Sequence, residues 1–233
     1  MPPPPATRAA LLVLADGRFP AGGHAHSGGA EQAVAAGRIT DTAGLAAYCR
    51  GRLHTAGLTS AALAAAACAG ADPLLLDEAA DARTPSPALR ATARKLGRQL
   101  LRAARAVWPT AELDALAEAR PRGVHQPVVL GLAARAAALG PGDAAHVAGY
   151  EAVSGPATAT VRLLGLDPFE ATAVLACLAP ELDDVAARAT AAGVRAAAGG
   201  RADVGPLLPA AGAPLLDIAA EEHAVRAARL FAS

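Results

Sequence analysis

Aromatic side chains make up only 3% of this chain, cysteine occurs three times, and positive and negative charges cancel. Each shortage excludes something. Cys49, Cys68 and Cys177 form no CxxC pair, so neither a disulfide framework nor a zinc ribbon is expected. A reducing, cytoplasmic setting fits, with each cysteine read as a small buried hydrophobe. The sequence pI is near 7.0 and charged residues are 18%, below the usual share of about 25%, so nothing global calls for nucleic acid or an anionic membrane. The longest uncharged stretch, Leu53 to Ala71, is mostly Ala, Gly, Ser and Thr, which barely favour hydrocarbon; no membrane span is expected. Only about seven apolar residues follow Arg8 before Asp16, at the bottom of the range for an export signal. Runs of β-branched residues are almost absent, which removes the usual raw material of sheets.

What the chain does contain is alanine, the residue with the best intrinsic helix propensity. Proline and glycine punctuate it into helical stretches at about 28–36, 42–56, 59–70, 73–82, 87–107, 110–119, 126–139, 143–164 and 168–191. Asp41, Thr59, Asp72, Ser86, Thr110, Asp143 and Asp167 are candidate N-caps, and Pro73, Pro87 and Pro168 occupy first-turn positions. Pro180 should kink or split the last stretch. The expected fold is all-α, a single-domain compact bundle of about nine to ten helices. Its organisation reads as a Pro-rich disordered tail over 1–9, a helical domain over 10–192, a Gly/Pro/Ala-rich linker over 193–214 and a C-terminal docking segment over 215–233. The last segment reads equally as a helix closing the protein's own core.

The helix at 87–107 is amphipathic. Arg90, Arg94, Lys95, Arg98, Arg102 and Arg105 fall within an arc of about 140°, opposite Leu89, Leu96, Leu100 and Val107. A solvated face is the first reading and an acidic protein partner the second. DNA comes last, because nothing on the stripe supplies base readout.

The most informative segment is Leu11 to Glu31, LLVLADGRFPAGGHAHSGGAE. A strand-like LLVLA run enters a loop holding Gly17, Gly22, Gly23, Gly28 and Gly29, with His24, His26 and Ser27 among them. A phosphate cradle would need a lysine and a hydroxyl directly after its last glycine, and both are missing. His24 and His26 point the same way if extended, as a metal pair would, yet no third ligand is near in sequence. Ser27 beside His26 lacks a nucleophile elbow. Its plainest role is to cap the following helix.

The loop resembles the N-terminal signature of the UreF family of urease accessory proteins, approximately D-S/G-x-F/L-P-S/T-G-G-F-x-H-S-x-G-L-E, here running from Asp16 to Glu31. The family's C-terminal pattern is similar to Pro214, Leu216, Asp217, Ile218, His223, Arg229, Leu230, Phe231 and Ser233. RKLGRQLL at 94–101, HQPVVLG at 125–131 and TVRLLGL at 160–166 are further landmarks of that resemblance. His24 stands where the family has an aromatic, and Gly165-Leu166-Asp167-Pro168 stands where it commonly has P-L-G-Q.

The resemblance implies a non-enzymatic assembly factor without a cofactor of its own, nickel being at most transient. It implies a homodimer that binds UreD (also called UreH), recruits the GTPase UreG and serves nickel insertion into apo-urease. Candidate partner contacts are then Phe19, Pro20, Gly22, Gly23, His26, Ser27, Glu31, Arg162, Asp217, Arg229, Leu230 and Phe231. Among them Phe19, Leu230 and Phe231 are expected to anchor interfaces, and Arg162 and Arg229 to make charge-assisted contacts. The alternative is a nickel-binding metallochaperone that uses His24 and His26.

Overall fold

A computed structural model describes residues 8–202, 204–227 and 229–231, with Arg8 and His24 described by backbone alone. The tail read at 1–9 therefore falls outside the described residues up to residue 7. Eleven α-helical segments and no strand occur among the described residues. They are α1 (Arg8–Ala15), α2 (Ala30–Ala35), α3 (Thr42–Arg52), α4 (Leu58–Ala69), α5 (Pro73–Ala82), α6 (Pro87–Val107), α7 (Ala111–Ala119), α8 (Gln126–Ala136), α9 (Pro141–Leu164), α10 (Pro168–Ala198) and α11 (Pro214–Ala224). A π-helical turn over Leu53–Gly57 joins α3 to α4 without a break. The all-α reading stands.

The alanine content is explained at the centre. Helix α4, LTSAALAAAACA, is buried along almost its whole length and is packed by α8, α9 and α10. Methyl-sized side chains let backbones approach closely, and two glycines mark close crossings on α4. A Cβ on Gly131 of α8 would lie 2.2 Å from the Ala64 carbonyl oxygen. One on Gly193 of α10 would lie 2.7 Å from the Ala65 methyl and the Ala66 nitrogen. Protein interiors are close-packed, so neither site has room for a methyl group.

Asp41, Asp72, Ser86, Thr110 and Asp167 each accept a backbone N–H of the helix they precede. Asp143 instead lies inside the first turn of α9 and accepts from the Gly140 N–H at 2.9 Å. Thr59 caps nothing, because the π turn carries the helix through it. The LLVLA run expected to be strand-like is helical, as α1. Helix α10 continues through Pro180, which sits on its exposed side; packing of the flanking turns against α4 and α9 holds the helix across the missing N–H. The helix also runs past Gly193, a packing glycine, so residues 193–198 of the expected linker are helical. Beyond them Val204 and Leu208 are buried, and Arg83 donates to the carbonyls of Gly205, Leu208 and Pro209.

The basic stripe of α6 is mostly solvent-exposed, with Arg90 and Arg94 half-buried, but several of its members bond within the chain. Arg94 pairs with Asp77 and Asp81, Arg105 pairs with Asp114, and Arg90 and Arg98 donate to backbone carbonyls. Lys95, Arg98, Arg102 and Arg105 are exposed, as a solvated face requires, although Arg98 and Arg105 also bond within the chain. Cys49 and Cys68 are buried, whereas Cys177 is exposed on α10, contrary to the expectation for it.

Candidate functional site

Glu31 is the first charged residue after the glycine loop and is only 7% exposed. Its carboxylate accepts from His223 Nε2 at 2.9 Å, from the Leu230 N–H at 2.6 Å and from the Phe231 N–H at 3.0 Å. The donors lie 192 to 200 residues away in sequence. Burial pushes the Glu31 pKa up, but the two backbone N–H groups and His223 outweigh it, leaving the carboxyl below its usual range. One buried anion therefore joins the two terminal motifs.

The junction is reinforced on both sides. Ser27 is buried, and its Oγ accepts from the Glu31 N–H at 3.3 Å as expected, although Gly29 rather than Ser27 is the N-cap of α2. Gln32 donates to Glu222 at 2.8 Å and accepts from Arg226 at 3.1 Å. Helix α11 is also fixed to α6: Asp217 accepts from the Ser86 N–H at 3.1 Å, and Glu221 accepts from the Ser86 hydroxyl and the Ala88 N–H. Carboxylates are placed there at the positive end of α6, where the helix dipole favours them. The C-terminal segment thus closes the protein's own body on α2 and α6 while leaving Leu215, Ile218, Val225 and Leu230 largely exposed.

The glycine loop reaches the bundle through its own contacts. Phe19 is buried and stacks on Trp108, with ring centroids 5.6 Å apart. Gly22, at φ 80°, abuts the Gln99 side chain. Tyr48 donates to the Gly28 carbonyl at 2.9 Å, and the ring of Pro156 packs beside Gly28. Pro156 has no N–H for the Ala152 carbonyl one turn earlier in α9; Arg52 Nε supplies the bond at 2.8 Å. A proline in one helix and an arginine in another are thereby made complementary.

The expected contact residues divide accordingly. Phe19 and Phe231 face inward, Asp217 and Glu31 are engaged within the chain, and His26 is half-buried. Pro20, Gly23, Arg229 and Leu230 face solvent. Arg162 is exposed on the last turn of α9 and, among the described residues, makes no ion pair or hydrogen bond with either terminal motif. The His24 ring, half of the proposed HxH pair, and Ser233 lie outside the described side chains. Among the described residues no group of three or more His, Cys, Asp or Glu could hold a metal ion.

Sequence reading missed a second polar cluster behind the site. Asp77 and Asp81, one turn apart on α5, meet Arg94 of α6 and His125 at the start of α8. Hydrogen bonds from Arg94 hold the Asp81 carboxyl down at about 2, while burial lowers the pKa of His125. The i, i+4 acid pair facing an arginine-rich helix was the available signal. Glu151 of α9 bonds to the Gln126 amide at 2.7 Å, and burial pushes its carboxyl up to about 7.

Comparison with known proteins decides what this junction belongs to. The UreF family model matches residues 39–179, more than half of the chain. The chain belongs to the UreF family. Among curated relatives, the urease accessory protein UreF of Mycolicibacterium vanbaalenii is 44% identical over 229 residues, covering 97% of this chain and 98% of the relative. The proteins of the same name from Mycobacterium marinum and Mycobacterium tuberculosis are 42% and 41% identical over 228 residues, again 97% of this chain. These alignments take in the glycine loop and α11, both of which lie outside the UreF model match. The shared name is that of an accessory protein, in agreement with the non-enzymatic reading.

Proposed function

We propose that this chain acts in urease maturation as a non-catalytic scaffold. It holds UreD (UreH) and the GTPase UreG in one assembly, as a homodimer, so that nickel is delivered as cargo to apo-urease. Membership of the UreF family and the names of its relatives support the accessory role. The observation that carries the scaffold is the Glu31 junction. It spends a buried anion on fixing the two chain ends together and sets the exposed Arg229 and Leu230 beside α2. Pre-ordering a surface in this way lowers the entropy lost when partners assemble on it.

The test is complementation. A urease gene cluster lacking its own UreF is expressed with this chain, and nickel per urease active site is measured with the rate of ammonia release. Restoration of both is expected. Failure to restore either, where the Mycolicibacterium vanbaalenii relative succeeds, would overturn the reading.

A further inference from the structure

Between α3, α2 and the start of α11 lies a half-open cavity of about 260 Å³. Ala47, Tyr48, Leu215 and Leu216 give it an apolar lining, and Arg38 and Arg52 also border it. Its volume falls below the roughly 300–1,000 Å³ of small-molecule sites and suits one inserted side chain.

The charges at this cavity are unbalanced. Arg50, Arg94, Arg105 and Arg135 all pair with carboxylates of the chain. Neither Arg38 nor Arg52 has a carboxylate partner among the described residues. Arg52 spends its Nε on the Ala152 carbonyl, which fixes the guanidinium in place. Burial raises the Tyr48 pKa, and the charges of Arg52 and Arg38 oppose that rise, so both cations act on this hydroxyl. A guanidinium fork held at an apolar mouth matches a carboxylate next to an apolar anchor. Leu215, 64% exposed, and Ile218, 55% exposed, extend the apolar surface along α11.

We propose that this cavity is a docking site for a partner-protein segment that inserts one aliphatic or aromatic side chain and sets a neighbouring Asp or Glu against Arg38 and Arg52. The inference rests on the scaffold reading and names where on the scaffold one partner is gripped. The probe is the UreD and UreG pair co-expressed with the tagged full-length chain, measured as partner retained per chain at 50 and 300 mM NaCl.

Two variants address the site: Arg38→Glu reverses an exposed charge, and Ala47→Phe fills the cavity from an exposed helical position. Arg195→Glu, exposed on α10, is the control. Arg38→Glu and Ala47→Phe are each expected to lower retention about tenfold or more at 50 mM NaCl and Arg195→Glu to leave it unchanged, with helical content and Tm the same in all three. Wild-type retention should fall with salt, and Arg38→Glu should flatten that dependence. Should the wild type retain neither partner, the scaffold reading fails and this inference with it. If wild type and both variants retain them equally, the docking site alone is wrong. Conversion of a dimer to a monomer by both variants in light scattering, with retention per chain unchanged, would make the occupant a second copy and also overturn it.

Discussion

Replacing Glu31 by Gln keeps the shape of the junction and removes its charge. The carboxylate serves three donors: Leu230 N–H on one oxygen, and His223 Nε2 with Phe231 N–H on the other. An amide has one acceptor oxygen, so its NH2 group must face at least one backbone N–H, whichever way it is flipped. Stranding one buried donor and weakening the remaining bonds costs about 2 kcal/mol or more. That loss is local, because α11 and the residues after it can open without unfolding α4. Hydrogen exchange read by mass spectrometry should show protection of the Leu230 and Phe231 amides falling about 30-fold at pH 7. Exchange in α4 should stay the same. Since the folded-state pKa of Glu31 lies below 4.5, the wild-type junction should hold above that pH and be lost as pH falls through the lowered value. Unchanged protection in Glu31→Gln, or an equal loss in α4, would refute the reasoning.

Gly131→Ala places a methyl group 2.2 Å from the Ala64 carbonyl oxygen, and the resulting overpacking of about 1–3 kcal/mol should lower Tm by roughly 2–10 °C in calorimetry. Glu151→Gln should raise Tm at pH 8 by about 3–8 °C and leave it nearly unchanged at about pH 4, below both pKa values. The sign follows from a folded-state pKa of about 7, above the ordinary 4.5: the wild type loses stability as pH rises between these values, and the amide does not. Burial lifts the Cys49 and Cys68 thiols to about 11, so a native thiol titration should label Cys177 quickly and the other two only after unfolding.

The helices that open on a capping side chain, α3, α5, α6, α7 and α10, were legible because the cap is a local event written in neighbouring residues. Helix α1 was not, since a short apolar run such as LLVLA suits strand and helix equally until its packing is known. The π turn was hidden for a related reason: its extra residue is accommodated by Gly57, which packs against Ala152 of α9, and no spacing within α3 or α4 announces it. Gly193 looked like the start of a linker because glycine ends helices more often than it lets them touch. Of the candidate site, the two terminal motifs were visible as patterns, but their meeting at Glu31 was not. A contact across about two hundred residues leaves no periodicity, and a single buried carboxylate has no local signature. Phe19 and Phe231 were read as outward anchors on residue type alone, whereas a chain with so few aromatics uses both in its own core.

The central claim is that this chain works by holding other proteins in register. Size-exclusion chromatography with light scattering on a mixture of the 23.0 kDa chain with UreD, UreG and GTP tests it most directly. The account predicts a single assembly containing all three, and no GTP turnover by this chain alone. Elution of the chain by itself in the presence of both partners, or hydrolysis of GTP by the isolated chain, would contradict it.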